Sequence, residues 1–212
     1  MDVETKKLSH KAAIREENEK AILEAAETVF AARGYLGATT NEIAQLAGVP
    51  KANLHYYFST KEALYRRVLD DIMTVWLGSA GTFDDCDDPK EALPPYIHAK
   101  MEFSRERPKG SKIWAAEIMQ GAPHIQDFLE TTLQTWMDER KTCVEGWIKD
   151  GKINPLKPEY LFYMIWSVTQ HYADFQHQID TLNGNKSLSD HQFAEARDQA
   201  TEIILRGIGA IT

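Results

Sequence analysis

The feature that most constrains this chain is a run of short amphipathic segments between Asn18 and Phe58, cut twice by glycine. From Asn18 to Arg33 the apolar residues Ile22, Ala25, Ala26, Val29 and Phe30 recur at spacings of three and four, with Glu24, Glu27 and Arg33 on the other side. That period belongs to an α-helix with one buried face, and Gly34 supplies the residue that closes it. Thr39 and Thr40 precede a second such stretch. Glu42, three residues after Thr39, marks a capping-box start for a short helix carrying Ile43, Leu46 and Ala47 inward. Gly48 and Val49 break it. Pro50 stands where the first turn of a helix tolerates a missing N–H, so a third helix is expected through Phe58, with Leu54 and Phe58 facing the core. Two short helices joined by a tight glycine turn make a helix-turn-helix.

The third helix leaves Lys51, Ala52, Asn53, His55, Tyr56 and Tyr57 to project outward or sideways. Those types suit a groove of DNA. Asn pairs bidentately with adenine, Lys reaches guanine or phosphate, Ala meets a thymine methyl, and Tyr and His bond backbone oxygens. Ser59 or Thr60 then caps a fourth helix, with Lys61 and Glu62 in its first turn and Leu64, Val68, Ile72, Val75 and Trp76 along one face to about Gly78.

Charge follows the same division. A net charge of -8 argues against nucleic acid only if it is spread evenly, because phosphate contacts need local positive potential. Through Arg67 there are ten lysines and arginines against nine acidic residues, and after it fourteen against twenty-three. The acidity belongs to the second part. The first part groups positive charge at Lys6, Lys7, Lys11 and Arg15, then at Lys51, Lys61, Arg66 and Arg67. The basic tail before Asn18 suits either a minor-groove or phosphate contact or a solubilising end.

The stretch "FAARGYLGATTNEIAQLAGVPKANLHYYFSTKEALY", Phe30 to Tyr65, resembles the N-terminal DNA-binding domain of the TetR family of bacterial repressors. The resemblance implies an all-α homodimer. The third helix of each subunit would enter a major groove of a double-stranded operator with two related half-sites, and a larger C-terminal region would hold a small-molecule effector. It also implies roles. Thr39 and Thr40 match the phosphate-holding start of helix two, and Asn41 matches a position that in some members reaches a base. Lys51, Ala52, Asn53 and His55 match groove-facing positions, Tyr56 and Tyr57 an aromatic pair that bonds phosphates, and Lys61 a lysine that grips the backbone. Pro50 and Ala52 depart from the Ser or Thr and Gly of many members, and Pro50 removes a hydroxyl and an N–H that would meet phosphate.

The expected division is a DNA-binding domain with its N-terminal arm over residues 1–65 and a ligand-binding and dimerisation domain over residues 66–212. In the second, helices are expected at Pro89 to Arg107, Ser111 to Met119, Pro123 to Gly151, Lys157 to Asp180 and Ser189 to Gly209, each bounded by Pro, Gly or a capping residue. No strand alternation occurs. The acidic stretch Gly81 to Pro89 lacks the spacing of a calcium loop and reads as a linker. All five tryptophans, Trp76, Trp114, Trp136, Trp147 and Trp166, fall in this half. Large aromatics ordinarily fill helical cores, but Gln170 one turn after Trp166 sets an amide beside a flat stacking surface, which suits a planar heterocycle with amide-like edges.

A narrower resemblance covers "GWIKDGKINPLKPEYLFYMIWSVTQHYADF", Gly146 to Phe175, with "GAP" from Gly121 and "WL" at Trp76. It is similar to a subgroup of the family that governs pyrimidine use, which implies uracil or thymine as effector. On that basis Trp76, Trp166, Gln170 and Tyr172 would surround the ring, with Gly121 lending a backbone carbonyl. A regulator of efflux or catabolic genes that senses a more apolar ligand is the alternative.

Other classes fare worse. Ser167, His171 and Asp174 share a helix face and mimic a hydrolase triad, yet an ordinary helix offers neither a strained nucleophile turn nor an oxyanion hole, so no enzyme is expected. His171 and His177 are six apart and cannot share a metal on one face. Cys86 and Cys143 form no metal or disulfide pattern, and no cofactor is expected. With no apolar run near bilayer length and a charged N-terminus unlike a secretory signal, a cytoplasmic protein without a membrane partner is expected.

Overall fold

A computed structural model of the chain describes residues 3–78 and 87–211, with side chains from Ala13 onward. Most of the expected 81–89 linker, Cys86, and the side chains of Lys6, Lys7 and Lys11 lie outside the described residues. Among those described there is no strand. The helices in chain order are α1 (Val3–Gly37), α2 (Thr40–Leu46), α3 (Lys51–Tyr57), α4 (Lys61–Gly78), α5 (Pro89–Glu106), α6 (Pro108–Met119), α7 (Gln126–Phe128), α8 (Gln134–Lys149), α9 (Pro158–Asp174), α10 (Gln176–Leu182) and α11 (Asp190–Gly207). A π-helical segment, Leu129–Leu133, joins α7 to α8. No helix among the described residues is long and apolar enough to cross a membrane.

Two compact units are formed, and they do not follow chain order. Residues Met1–Ile72 are joined by Ile113–His124, while Met73–Lys112 go with Ile125–Thr212. The expected division at 65/66 therefore falls inside α4, and the units change at Ile72/Met73. The C-terminal half of α6 returns to the first unit.

In the first unit Ile22, Ala26, Phe30, Ile43, Leu54, Leu64, Leu69 and Ile72 are buried, the faces that the helical period marks out. Gly34, at φ 66° and ψ 174°, interrupts α1 where the sequence closes its first helix. Thr39 caps α2 by accepting from the Glu42 N–H at 3.1 Å. The turn to α3 depends on Gly48 at φ 69°, with the Val49 N–H donating to the Ala44 carbonyl at 3.0 Å. One inward assignment is corrected: Leu46 is 55% exposed, and Ala44 is buried in its place. Seven residues give α2 a narrow buried arc, and Ile43 and Ala44 fill it.

In the second unit α5 packs on α9 and α11, and α8 packs on α9. Leu93, Ile97, Met101, Trp147, Phe162, Ile165, Phe193 and Ile204 form the core. The Ser104 hydroxyl of α5 donates to the Thr169 carbonyl of α9 at 2.7 Å. Asp88 caps α5 by accepting from the Lys90 N–H, and Ser189 and Gln192 form a full capping box on α11.

Two expected helices are broken. The span 123–151 starts late, at Gln126, and carries the π segment, where the Thr131 hydroxyl donates to the Asp127 carbonyl at 2.6 Å and competes with the helix N–H groups for it. The span 157–180 stops at Asp174, because Phe175 leaves the helical region at φ -112°, ψ 25° before α10 begins.

Candidate functional site

The first candidate surface is the outer face of the helix-turn-helix. Burial of Leu54 and Phe58 fixes the rotation of α3 and leaves Lys51, Ala52, Asn53, His55 and Tyr56 exposed, with Tyr57 half-buried. Among the described residues the side chains of Lys51, Asn53 and His55 make no hydrogen bond or ion pair, so their donors and acceptors stand free. Thr39 and Asn41 are exposed and Thr40 half-buried at the start of α2. Tyr56 does not pack on the bundle: it is 73% exposed, edge-on to Tyr57 at 5.4 Å, with the Arg15 guanidinium 6.0 Å above its ring.

Lys61 has a structural task that the sequence did not disclose. Its ammonium donates to the Tyr35 carbonyl at 2.8 Å and the Ala38 carbonyl at 3.1 Å, and lies 4.5 Å over the Tyr35 ring. It thus ties the end of α1 to the residue before the α2 cap, leaving one N–H for another acceptor.

Beneath these helices lies a polar cluster built partly from the returning segment 113–124. Glu117 is 2% exposed. Its carboxylate accepts the His124 backbone N–H at 2.6 Å and lies 3.1 Å from His124 Nδ1. The Tyr65 hydroxyl also bonds Glu117, and burial first, then that carboxylate, push the Tyr65 phenol well above its usual range. The His124 ring stands 4.3 Å from Tyr35 and 5.0 Å from Tyr65. Glu117 therefore reaches the start of α2 through His124, Tyr35 and Lys61.

The second candidate site is in the second unit. Trp166 is half-buried, and its indole N–H donates to the Tyr96 hydroxyl at 2.8 Å, so that donor is already committed. Its ring stands 6.1 Å from Trp136 and 5.9 Å from Tyr163. Gln170, half-buried one turn later, makes no side-chain hydrogen bond among the described residues. Trp76 meets α5, edge-on to Phe103 at 5.6 Å. Tyr172 lies on a different flank, because six residues rotate a helix about 600° and four bring it nearly full circle. It borders a cavity of about 110 Å³ with Ser104, Arg105, Gln176, Ile179 and Phe193, among others; neither Trp166 nor Gln170 lines it. Gly121, at φ 85°, belongs to the first unit.

Sequence reasoning missed a buried cation that stands beside Trp76. Lys100 is 6% exposed, and its ammonium lies 3.8 Å over the Trp76 ring. Burial lowers its pKa to about 7. Tyr96, one turn earlier on α5, is buried as well, and desolvation raises its phenol above the usual range. Among the described residues the indole N–H of buried Trp136 has no acceptor. A signal existed: Lys100 falls on the row Tyr96, Lys100, Ser104, directly beside the apolar row of Leu93, Ile97 and Met101.

The residues that mimic a triad are engaged separately. The Ser167 hydroxyl donates to the Met164 carbonyl at 2.9 Å, His171 stacks on Phe175 at 4.8 Å, and Asp174 accepts from the Ser111 hydroxyl at 2.7 Å.

Comparison with known proteins places the chain in a family. Residues 22–68 match the family of bacterial regulatory proteins of the tetR type, and residues 69–211 match the C-terminal region of YcdC-like proteins. The HTH-type transcriptional regulator RutR of Escherichia coli (strain K12) is 40% identical over 189 residues, 89% of each chain. The HTH-type transcriptional repressor NicS of Pseudomonas putida is 27% identical over 97% of this chain and 99% of its own. Among solved structures, AibR in complex with isovaleryl coenzyme A and operator DNA aligns with a TM-score of 0.69 at 20% identity, over 89% of this chain and 97% of that one. The transcriptional regulator SCO4942 from Streptomyces coelicolor aligns at 0.70 and 20% identity, over 91% and 98%. The free polar face on α3 and these likenesses lead to one conclusion: the chain belongs to the TetR family of bacterial transcriptional regulators, and is a DNA-binding protein rather than an enzyme.

Proposed function

We propose that two copies of the chain pair on a double-stranded operator with two related half-sites, about one helical turn apart, and repress until a small flat molecule bound in the second unit releases them. The observation that carries this reading is the exposed α3 face, where Lys51, Asn53 and His55 have no partner among the described residues. Asn53 and Asn41 would meet base edges, Lys51 guanine or phosphate, and Ala52 a thymine methyl. Thr39, Thr40, His55, Tyr56, Tyr57 and the spare N–H of Lys61 would bond phosphates. Pairing would use α9 and α11, which expose Tyr160, Tyr163, Met164 and Ile203. AibR, a protein of the same fold, was solved with a small ligand and operator DNA together.

For the effector, Trp76, Trp166 and Gln170 are the proposed ring-binding residues, with Tyr172 as an outlying candidate and uracil or thymine as the first ligands to try. Release requires only that the ligand bind the DNA-free conformation better, by about 1–3 kcal/mol in typical coupled systems.

Fluorescence anisotropy on DNA taken from upstream of the gene tests the operator half. Lys51→Ala should weaken binding on all sequences and reduce the salt slope by about 1, while Asn53→Ala should cost about 1–3 kcal/mol concentrated at one base pair. Unchanged affinity in both variants would remove α3 from the interface. For the effector half, uracil or thymine should raise the melting temperature of the wild type, and Gln170→Ala should abolish the shift.

A further inference from the structure

We infer that Lys100 is the counter-charge for an anionic group on the effector, which makes the ligand class a small planar organic acid bearing a carboxylate. The inference rests on the reading of this chain as a ligand-responsive regulator and narrows what it responds to.

Lys100 stands in the middle of the row Tyr96, Lys100, Ser104, spaced by four on α5, and that row faces α9 at both ends through the Trp166 and Thr169 bonds. A lysine in such a place ordinarily finds a carboxylate or lets its stem carry the charge to water. Here neither happens among the described residues. The carboxylates of neighbouring elements are held elsewhere: Glu102 by Arg105 and Arg197, Asp198 by Arg197 and His98, and Asp174 by Ser111. On α8, Asp138 is held by Gln134 and Lys141, and Glu139 by Arg140. Among the described residues only the face of Trp76 meets the ammonium.

A second buried donor belongs to a ring packed on Tyr96, the residue one turn before Lys100. The buried Trp136 N–H lacks an acceptor among the described residues, and its ring stands 6.1 Å from the Tyr96 ring. The Tyr96 oxygen already receives the Trp166 N–H. A carboxylate is acceptor-only, with two oxygens for such donors, and its bond to an ammonium is of the stronger, charge-assisted kind. The half-buried Trp166 ring, 6.1 Å from Trp136 and 5.9 Å from Tyr163, gives a flat ring a surface to lie against. Because burial holds Lys100 near pKa 7, an anion arriving at pH 8 draws a proton onto it.

The test is isothermal titration calorimetry of the full chain at pH 8 with uracil-6-carboxylate, uracil and benzoate, in phosphate and in Tris. The wild type is expected to bind uracil-6-carboxylate at least about tenfold tighter than uracil and to take up a proton, seen as a buffer-dependent heat. Lys100→Met should collapse that ratio and abolish the uptake, while Lys100→Arg, which keeps the charge, should retain the preference. A circular dichroism melt confirms that each variant is folded. A preference for uracil-6-carboxylate undiminished in Lys100→Met, or failure of both acids to bind the wild type, would overturn the inference. Binding of uracil alone overturns it and leaves the pyrimidine reading standing. Binding of both acids without uracil supports it and removes the neutral pyrimidine. Operator binding by the wild type, measured alongside, reports separately on the regulator reading.

Discussion

Replacing Lys100 with methionine should stabilise the protein, although it removes a native cation–π contact. The Lys100 ammonium has a pKa of about 7 against an ordinary 10.5, and burial is the cause. At 1.36 kcal/mol per tenfold change in proton affinity, the charged form is disfavoured in the native state by about 5 kcal/mol relative to solvent. The contact with Trp76 is already part of that balance, and a methionine sulfur restores about 1 kcal/mol of it against the same ring. After allowance for relaxation around the new side chain, a gain of about 2–4 kcal/mol is expected at pH 6 to 7. The pH dependence is the sharper signature. Between about 7 and 10.5 the unfolded chain holds a proton at Lys100 that the native chain does not. Wild-type stability from this group therefore rises with pH across that window and is flat below it. The advantage of Lys100→Met should be greatest below pH 7 and shrink by pH 9.5. Urea unfolding followed by circular dichroism, at fixed protein concentration and pH 6, 7, 8.5 and 9.5, gives both quantities. A variant less stable than the wild type throughout, or a difference independent of pH, would refute the assignment of a buried, unpaired ammonium.

Two further substitutions probe the first unit. Glu117→Gln leaves one acceptor where the carboxylate serves the His124 N–H, the His124 ring and the Tyr65 hydroxyl, and should destabilise by about 1–3 kcal/mol in urea melts. It should also bring the Tyr65 phenol down toward its usual range in an ultraviolet pH titration; an unchanged melt and titration would show that the cluster contributes nothing. Lys61→Met removes two charged bonds to the Tyr35 and Ala38 carbonyls and should lower stability by about 1–3 kcal/mol with no DNA present. A lysine serving DNA alone would leave the melting temperature where it was.

The helix-turn-helix was legible because its determinants are local. Period, caps and Gly48 act within a few residues, so Leu54 and Phe58 turn inward and Lys51, Asn53 and His55 outward whatever the rest of the chain does. Leu46 shows the limit of that rule: in two turns of helix the buried arc is too narrow for period alone to say which side chain fills it. The breaks at Phe175 and at Leu129–Leu133 were not legible, since no proline or glycine marks them.

The sequence by itself determined an all-helical chain, the position of its helix-turn-helix and the pairing of Trp166 with Gln170 on one face. Only the tertiary structure decided that Lys61 closes the gap between α1 and α2, that Glu117 and His124 return to the first unit, and that Lys100 lies buried over Trp76. Each of these joins residues more than twenty positions apart, or depends on how completely water is excluded by other elements. A local hydrophobic period sets which way a side chain turns on its own helix, but not what stands opposite it.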